Sequence, residues 1–193
     1  MQSAGSFSAR QRPPEPLPVR STHQDEELQM TLDSRVKAVA DIKTELLFDV
    51  VVDLNPRLGI GDGPFGRRIF FGAAGGSFAG PRLRGEVLPG GGDWALFRPD
   101  GAMTLDVRLT LQTHDGALIH MTYGGRWIVP AELRADMSDP IKRYQVDPAR
   151  YYFRTNPLFE TGSPQYAWLN DVVSVGTGYL VEGAVAYKVC QVI

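Results

Sequence analysis

The chain has 193 residues, 43% of them hydrophobic, and a formal net charge of −2 at pH 7. This length fits one domain with a buried core, and the nearly balanced charge argues against nucleic acid as a partner. The single cysteine, Cys190, excludes an internal disulfide and lies in an apolar run typical of an inert thiol. No apolar run has the length of a membrane span and no signal peptide is recognisable, so we expect no membrane association and a cytoplasmic location.

Residues 1–43 precede the predicted domain. The first twenty are rich in Pro, Ser, Gln and Arg and cannot bury much surface, which predicts a disordered tail. Ser21 or Thr22 is positioned to cap a short helix from Asp25 to Ala40, because acidic residues follow in its first turn. We expect this helix to lie at the periphery.

The first half of the domain alternates between strands and glycine-rich breaks. Residues 46–54 (LLFDVVVDL) are apolar and β-branched and predict a buried strand, and shorter strands are expected over 67–71 and 83–88. Residues 55–66 predict a loop, and its GIGDG segment lacks the lysine and following helix of a phosphate loop. Glycine clusters near Phe78 and Trp94 are typical of bulges where a small barrel turns corners.

A β-meander is predicted around the clearest alternating strand, residues 102–112. Its apolar members alternate with polar ones, which places the two sets on opposite faces of a sheet. Pro99-Asp100-Gly101 predicts a three-residue hairpin loop before this strand, and Asp115-Gly116 predicts a two-residue loop after it. These loops place Trp94 opposite Asp106 and Tyr123 opposite Arg108, so that one face collects the following residues: Trp94, Leu96, Asp106, Arg108, Thr110, Met121 and Tyr123.

Two orientations of this face are open. If it points to water, Asp106 and Arg108 form a solvated pair worth less than about 1 kcal/mol. If it points inward, its charges and aromatic rings line a pocket in which a few polar groups orient a mostly apolar ligand. The alternation alone does not decide between them.

The second half of the domain predicts further strands and little helix. Residues 130–143 predict a short helix broken at Asp139-Pro140, and residues 151–155 a strand with Tyr152 and Arg154 on one face. Residues 159–170 form an aromatic-rich loop, and 171–179 and 183–192 two closing strands. About nine strands predict an all-β fold, an antiparallel and mostly up-and-down barrel over residues 44–193 with one or two short peripheral helices.

Three segments resemble the family of domain of unknown function 3237: GGSFAGPRLRGEVLPGGGDW, RPDGAMTLDVRLTLQTHDGALI and YYFRTNPLFETGSPQYAWLN. The resemblance extends from Glu45 to Val192. It implies a lipocalin-like or calycin-like β-barrel, and so favours a polar face that lines a cavity. Because the activity of this family is not established, the resemblance supplies no catalytic residues.

The residues do not predict a metal or cofactor site. His23, His114 and His120 fall in the tail, in a turn and on the apolar face, without a spaced cluster of carboxylates. No G-x-S-x-G motif and no dinucleotide fingerprint follows a strand. We therefore expect no cofactor.

The remaining candidates form a cavity set. Arg108 and Arg154 are candidate clamps for an anionic or carbonyl group. Asp106 or Glu160 is the candidate general acid or base, and Tyr123 the candidate donor to an oxyanion. The aromatic frame of this set consists of Trp94, Phe159, Tyr166 and Trp168.

Such a site suits isomerase, lyase or cyclase chemistry on a small, partly aromatic or anionic metabolite, without a cofactor. Two other hypotheses stay open. The same cavity fits a ligand carrier without chemistry, and the outside of the barrel fits a homo-oligomeric interaction protein. An enzyme predicts a carboxylate with a raised pKa near the ligand, a carrier predicts a larger apolar lumen, and an interaction protein predicts a filled lumen with an exposed apolar patch.

Overall fold

A computed structural model describes residues 33–193, which fall into two units, 33–41 and 42–193. The short unit holds a turn in which Arg35 pairs with Asp33, and it contains no helix. The carboxyl-terminal part of the helix predicted over 25–40 is therefore not formed. The rest of that helix and the Pro-rich tail lie outside the described residues.

Residues 42–193 consist mainly of antiparallel strands. The strands are β1 (Thr44–Leu54), β2 (Leu58–Gly63), β3 (Gly66–Ala79), β4 (Arg84–Val87), β5 (Gly92–Phe97), β6 (Met103–Thr113), β7 (Leu118–Ile128), β8 (Tyr152–Thr155), β9 (Leu158–Glu160), β10 (Ser174–Val181) and β11 (Ala184–Val192). One short helix, α1 (Arg134–Ser138), follows a 3₁₀ turn and ends at Asp139, where the break was predicted. Within residues 33–193, no helix has the length and apolar character needed to span a membrane.

The strands close into a barrel with eight strand positions, nearly in sequence order, which confirms the predicted fold class. From β1 the ring passes to β3, then to a position shared by β4 and β5, and then to β6 and β7. It continues through a position shared by β8 and β9 to β10 and β11, and β11 pairs with β1 to close the ring. Because every pairing is antiparallel and follows chain order, the barrel is of the up-and-down type.

Two positions of the barrel are each occupied by two short strands, and the structure has eleven strands where about nine were predicted. β4 and β5 are separated by residues 88–91, where Gly90 and Gly91 have positive φ. β8 and β9 are separated by Asn156 and Pro157, because proline has no backbone N–H to donate to the neighbouring strand. β9 and a 3₁₀ helix over Pro164–Asp171 occupy what was predicted as a loop, and β2 occupies part of the loop predicted over 55–66.

The predicted bulge at the glycine cluster is present in β3. The register between β1 and β3 shifts by one residue, since Asp53 pairs with Gly75 and Leu54 with Ala73. A Cβ on Gly76 would lie 2.1 Å from the Val51 carbonyl oxygen, so this close approach of two strands requires glycine.

The two hairpin predictions had different outcomes. The Pro99-Asp100-Gly101 loop has the expected three residues, and the register of β5 and β6 places Trp94 opposite Asp106 as predicted. The second loop also has three residues, because Thr113 closes it onto Ala117, so the two-residue prediction is wrong. As a result Tyr123 pairs with Val107, and Arg108 pairs with Thr122.

The apolar face of β6 points into the barrel, so of the two orientations left open the outward one is correct for the Asp106–Arg108 face, and the inward one that the family resemblance favoured is wrong. Five large side chains of β6 are buried: Met103, Leu105, Val107, Leu109 and Leu111. Each contributes about 1.5–3 kcal/mol when buried. Turning the strand over would expose them and would add a desolvation penalty of several kcal/mol for each charged group. The hydrophobic term therefore decides the orientation.

The interior divides into two halves, which we call the closed half and the polar half. In the closed half apolar side chains pack to near-complete burial: Phe48, Phe78, Leu111, Ile119, Met121, Phe159 and Val189. The polar half carries polar atoms and aromatic rings on the inner face: Asp93, Tyr123, Phe153, Thr155, Trp127 and Tyr187. Asp93 and Trp127 remain partly exposed there, whereas Phe48 is fully buried.

Candidate ligand site inside the barrel

The predicted charged pair lies on the outside of the barrel. Arg108 Nη1 donates to Asp106 Oδ1 at 2.8 Å, and both side chains are more than half exposed. Trp94 lies on the same outer face, where it packs against Phe70, and its ring centre is 6.0 Å from the Arg108 guanidinium. The prediction brought these three residues together correctly but placed them on the wrong side of the sheet.

Arg154 and Glu160 are also exposed on the outer surface. The Arg154 guanidinium donates to the Phe153 carbonyl oxygen and lies 5.4 Å from the ring centre of Tyr152, which shares its face as predicted. Glu160 follows the buried Phe159 on β9 and points outward. Neither charged group lies on the inner face.

The other predicted aromatic residues belong to the closed half or its rim. Phe159 packs edge-on against Phe48, with ring centres 5.8 Å apart. The buried Tyr166 donates its hydroxyl hydrogen to Asp115 and so ties the 3₁₀ helix over Pro164–Asp171 to the β6–β7 hairpin. Trp168 is half-buried beneath the Arg82 guanidinium, which lies 3.5 Å above its ring. These contacts cover one end of the barrel.

Tyr123 does face the interior, and its partner there is Tyr187 of β11. The two rings meet edge to face with centres 5.4 Å apart, and both side chains are buried. Burial raises the pKa of both phenols, and the interaction between their hydroxyls lowers the pKa of Tyr123 and raises that of Tyr187. Both hydroxyls are therefore protonated at neutral pH and are able to donate hydrogen bonds.

Asp93 is the acid of the polar half. It lies opposite Val107 on the inner face, and its Oδ1 accepts the Asp106 backbone N–H at 2.9 Å. Burial and, to a smaller extent, the negative charge of Asp106 raise the pKa of this carboxyl to about 6, although the hydrogen bond from the Asp106 backbone N–H and the charge of Arg68 lower it. The negative charge of Asp93 contributes to the raised pKa of both Tyr123 and Tyr187. The three groups therefore form one electrostatic unit.

Asp93 and Tyr187 were not among the predicted site residues, although the sequence carries a signal for each. The predicted register of the first hairpin puts Trp94 opposite Asp106, and the same register puts Asp93 opposite Val107. A lone carboxylate on an otherwise apolar face is a stronger sign of function than charges on a polar face. Tyr187 likewise shares one face of β11 with the apolar residues Val185 and Val189.

An aromatic wall runs along the inner face from Tyr123. Ring centres are 5.4 Å apart from Tyr123 to Tyr187, 5.5 Å from Tyr187 to Phe153, and 5.5 Å from Phe153 to Trp127. Gly178 leaves room for this wall, since a Cβ there would lie 2.8 Å from the Phe153 ring. Such a surface suits flat, aromatic molecules.

Two polar atoms beside this wall are buried and have no hydrogen-bond partner among residues 33–193: Trp127 Nε1 and Thr155 Oγ1. Trp127 pairs with Phe153 across β7 and β8, and Thr155 follows two residues later on the same face of β8. The two residues are therefore diagonal neighbours on the inner face.

Two clefts lie on the outer surface. One of about 190 Å³ is smaller than ordinary ligand sites, and its lining includes Asp106, Arg108, Thr122, Tyr123 and Asn156. The other, of about 580 Å³, lies over β3, β4 and β6 and includes Arg84, Glu86 and His114. Neither cleft includes Asp93. Within residues 33–193, no three His, Cys, Asp or Glu side chains are grouped as metal ligands.

A closed antiparallel barrel with an acid and two phenols on its inner face defines this chain as a small β-barrel protein with ionisable groups in its interior. The sequence places it further. The chain belongs to the family described as protein of unknown function DUF3237, whose sequence model matches residues 42–192. This result confirms the resemblance drawn from the three motif segments.

Known relatives support the family and the fold. A UPF0311 protein of Clostridium acetobutylicum is 36% identical over 139 residues, which cover 71% of this chain and 85% of the relative. The crystal structure of a β-barrel-like protein from Acinetobacter baumannii matches with TM-score 0.70 and 35% identity, over 81% of this chain and 99% of that one. An enzyme from Penicillium herquei matches with TM-score 0.60 and 23% identity, over 82% and 99% of the two chains, and this likeness shows the fold alone.

Proposed function

We propose that this protein binds a small, partly aromatic metabolite inside the barrel and moves a proton on it through Asp93, in isomerase, lyase or cyclase chemistry. The observation that carries the proposal is the partly buried Asp93 carboxyl, whose pKa burial raises to about 6, beside the phenols of Tyr123 and Tyr187. A group with a pKa near the working pH is an efficient proton acceptor and donor. Asp93 takes the role assigned from the sequence to Asp106 or Glu160.

The chemistry follows from the protonation states. The ionised Asp93 carboxylate takes a proton from the carbon next to a carbonyl group, and the electron pair of the broken C–H bond moves to the carbonyl oxygen. A phenol hydroxyl of Tyr123 or Tyr187 donates a hydrogen bond to the oxyanion that forms. The Asp93 carboxyl then returns the proton to a different atom of the conjugated anion, which completes an isomerisation and restores the carboxylate.

The relative from Penicillium herquei is described as an enzyme, and it supports the barrel as a scaffold on which catalysis occurs. A carrier is the alternative use of the same site. The carrier needs no titrating group beside its ligand, so the position of Asp93 favours the enzyme. A cytoplasmic location stays a prediction.

The test uses 6-methyl-1-tetralone, a flat bicyclic ketone with acidic hydrogens at C2, as a probe. In D₂O at pH 7.5 the wild-type protein is expected to accelerate exchange of these hydrogens for deuterium, followed by proton NMR. Asp93→Asn keeps the shape and can still accept the Asp106 N–H, but it cannot take a proton. It is expected to reduce the exchange rate at least about hundredfold.

Asp49→Asn is the matched control, since it removes a carboxylate of the same kind on the outer face of β1, where Asp49 pairs with Lys188. It is expected to leave the exchange rate unchanged. The wild-type rate should rise with pH as Asp93 ionises and level off above its pKa of about 6. Equal exchange rates for wild type and Asp93→Asn, or no binding of the ketone to the wild type, would overturn the proposed function.

A second candidate function is supported by β2. Leu58, Ile60 and Phe65 of the β2–β3 hairpin are all more than 60% exposed, and β3 is the sole partner of β2 among the described strands. Exposed apolar residues on a free strand edge favour pairing with a second copy of the chain. Sedimentation velocity tests this homo-oligomer: Ile60→Lys should convert any dimer of the wild type to monomer, and a monomeric wild type would contradict it.

A further inference from the structure

The acid and the two phenols of the polar half are covered in this structure. Tyr123 and Tyr187 are only 6% and 3% exposed, and neither of the two outer clefts contains Asp93. The ring of strands around these groups is closed by backbone pairing. A molecule as large as a bicyclic ketone therefore reaches them only if the cover over one end of the barrel moves.

Hydrogen bonds fasten the cover over the end at the closed half. The Tyr166 hydroxyl of the 3₁₀ helix over Pro164–Asp171 donates to Asp115 in the β6–β7 hairpin. Just before this helix, Thr161 Oγ1 donates to the Leu118 carbonyl oxygen of β7 at 2.7 Å. Opening this end would break both bonds to the barrel wall, so it is a poor route to the interior.

The end beside the polar half is covered by residues 130–150, which we call the lid segment. It joins the end of β7 to the start of β8, next to Trp127 and Phe153, the last rings of the aromatic wall. Helix α1 begins near the β5–β6 loop, since a guanidinium nitrogen of Arg134 lies 3.4 Å from a Cβ built on Gly101. The 3₁₀ turn over Lys142–Tyr144 lies beside β10. The segment therefore reaches across the opening of the barrel.

Apolar packing holds the lid segment on the barrel. Every hydrogen bond that residues 130–150 make within the described chain, 33–193, joins two members of the segment. The Asp139 carboxylate, for example, accepts two backbone N–H groups of the following turn. Leu133 and Met137 are 1% and 8% exposed and belong to the hydrophobic core. The segment can therefore lift without breaking a described hydrogen bond to a strand.

We propose that residues 130–150 form a lid, which opens as one unit about its joins to β7 and β8 and admits the ligand to the polar half. Segments with few buried side chains and mostly exposed backbone open at a lower free energy than the core of a domain. Lids of this kind govern ligand entry and product release in many enzymes. The inference rests on the proposed function for the nature of the ligand, whereas the opening itself is measurable in the free protein.

Thiol labelling with 4,4′-dithiodipyridine, a flat aromatic reagent, tests the opening. All proteins carry Cys190→Ser, which removes the natural thiol. Thr155→Cys places a thiol in the polar half, where the Thr155 hydroxyl has no hydrogen-bond partner to lose among residues 33–193. Met121→Cys is the matched reporter in the closed half, where Met121 is also buried. Thr155→Cys is expected to react at least about hundredfold faster than Met121→Cys.

The effect of urea separates lid opening from general unfolding. Lid opening exposes little surface, so the labelling rate of Thr155→Cys should stay constant at low urea concentrations. Labelling of Met121→Cys requires opening of the barrel and should accelerate as urea is added. If Thr155→Cys does not fold, Met137→Cys on the lid segment replaces it with the same expectation. A reporter rate that rises with urea as steeply as that of Met121→Cys would overturn the lid.

One variant at each end of the barrel decides which cover opens. Met137→Ala weakens the packing of the lid segment and is expected to accelerate the labelling of Thr155→Cys at least about tenfold. Tyr166→Phe is the matched control at the other end, because it removes the bond to Asp115 and should leave this rate unchanged. No acceleration in Met137→Ala, or an equal acceleration in Tyr166→Phe, would show that residues 130–150 are not the lid.

The results separate this inference from the acid–base chemistry. If labelling follows the expected pattern while Asp93→Asn exchanges deuterium as fast as the wild type, the lid stands and the proposed chemistry is wrong. If Asp93→Asn abolishes the exchange while Thr155→Cys is labelled no faster than Met121→Cys, the chemistry stands and the lid is wrong.

Discussion

The two halves of the barrel interior are built from the same strands but meet different requirements. In the closed half Phe48, Leu111 and Ile119 are fully buried and belong to the hydrophobic core. In the polar half the same strands β6 and β7 face Asp93, Tyr187 and Thr155, which carry a raised pKa or an unsatisfied hydroxyl. Apolar packing in the closed half therefore offsets the stability that the polar groups cost in the polar half.

The largest expected effect belongs to the closed half. Leu111→Ala removes a fully buried side chain and leaves a cavity, so it should lower the free energy of unfolding by about 3–5 kcal/mol. Tyr187→Phe in the polar half removes only a hydroxyl group and should lower it by less than about 1.5 kcal/mol. Urea unfolding measures both values. Similar losses for the two variants would show that the halves do not differ in how they support the fold.

The fold was predictable because hydrophobic alternation and turn residues agree along most of the chain. β1, β6 and the β10–β11 pair follow directly from their apolar periodicity. The break at Asp139 and the bulge near Gly75 follow from proline and glycine. β2 was missed because all its residues are exposed and nothing in its Gly-rich sequence marks a face.

The site was less predictable, because a single residue in a turn changed the face of β7. Asp115-Gly116 predicts a two-residue loop, but the Thr113 hydroxyl accepts the Ala117 N–H and so closes a three-residue loop. The shift turns Met121 and Tyr123 inward and Leu118 and His120 outward. Side-chain closure of a loop is not visible in dipeptide turn rules, and the pairing error then placed Tyr123 on the Asp106 face.

The second prediction concerns the pH dependence that Asp93 gives the polar half. The folded protein holds this proton up to a pKa of about 6, whereas the carboxyl titrates near 3.8 in the unfolded chain. The unfolded state therefore loses its proton first, and stability falls as the pH rises from about 4 to 6. Asp93→Asn does not ionise and should be more stable than the wild type by roughly 3 kcal/mol above this range.

Urea unfolding at pH values from 4 to 8 checks this difference. The two proteins should have similar free energies of unfolding near pH 4 and separate as the pH rises. Asp62→Asn, which changes an exposed carboxyl on β2, should follow the wild type throughout. A constant difference between wild type and Asp93→Asn would mean that the pKa of Asp93 is not raised by folding.

The third prediction compares two buried hydroxyl groups. Ser174 Oγ donates to the Pro157 carbonyl oxygen, so Ser174→Ala should lower the free energy of unfolding by about 1–2 kcal/mol. Thr155 Oγ1 has no such partner in the described chain, so Thr155→Val should raise it by up to about 1 kcal/mol. Thermal unfolding of the free protein measures both. A destabilised Thr155→Val would indicate that an ordered water holds the hydroxyl in the free barrel.

The smallest effect is expected on the outer face. Asp106 and Arg108 form an exposed pair, so Asp106→Asn and Arg108→Ala should each change the free energy of unfolding by less than about 0.5 kcal/mol. Neither should alter the affinity for 6-methyl-1-tetralone, because the ketone binds on the other side of the sheet. A clear loss of affinity in both variants would move the ligand to the cleft beside Asn156. The polar half would then be a structural compromise, and the comparison between the two halves would lose its functional meaning.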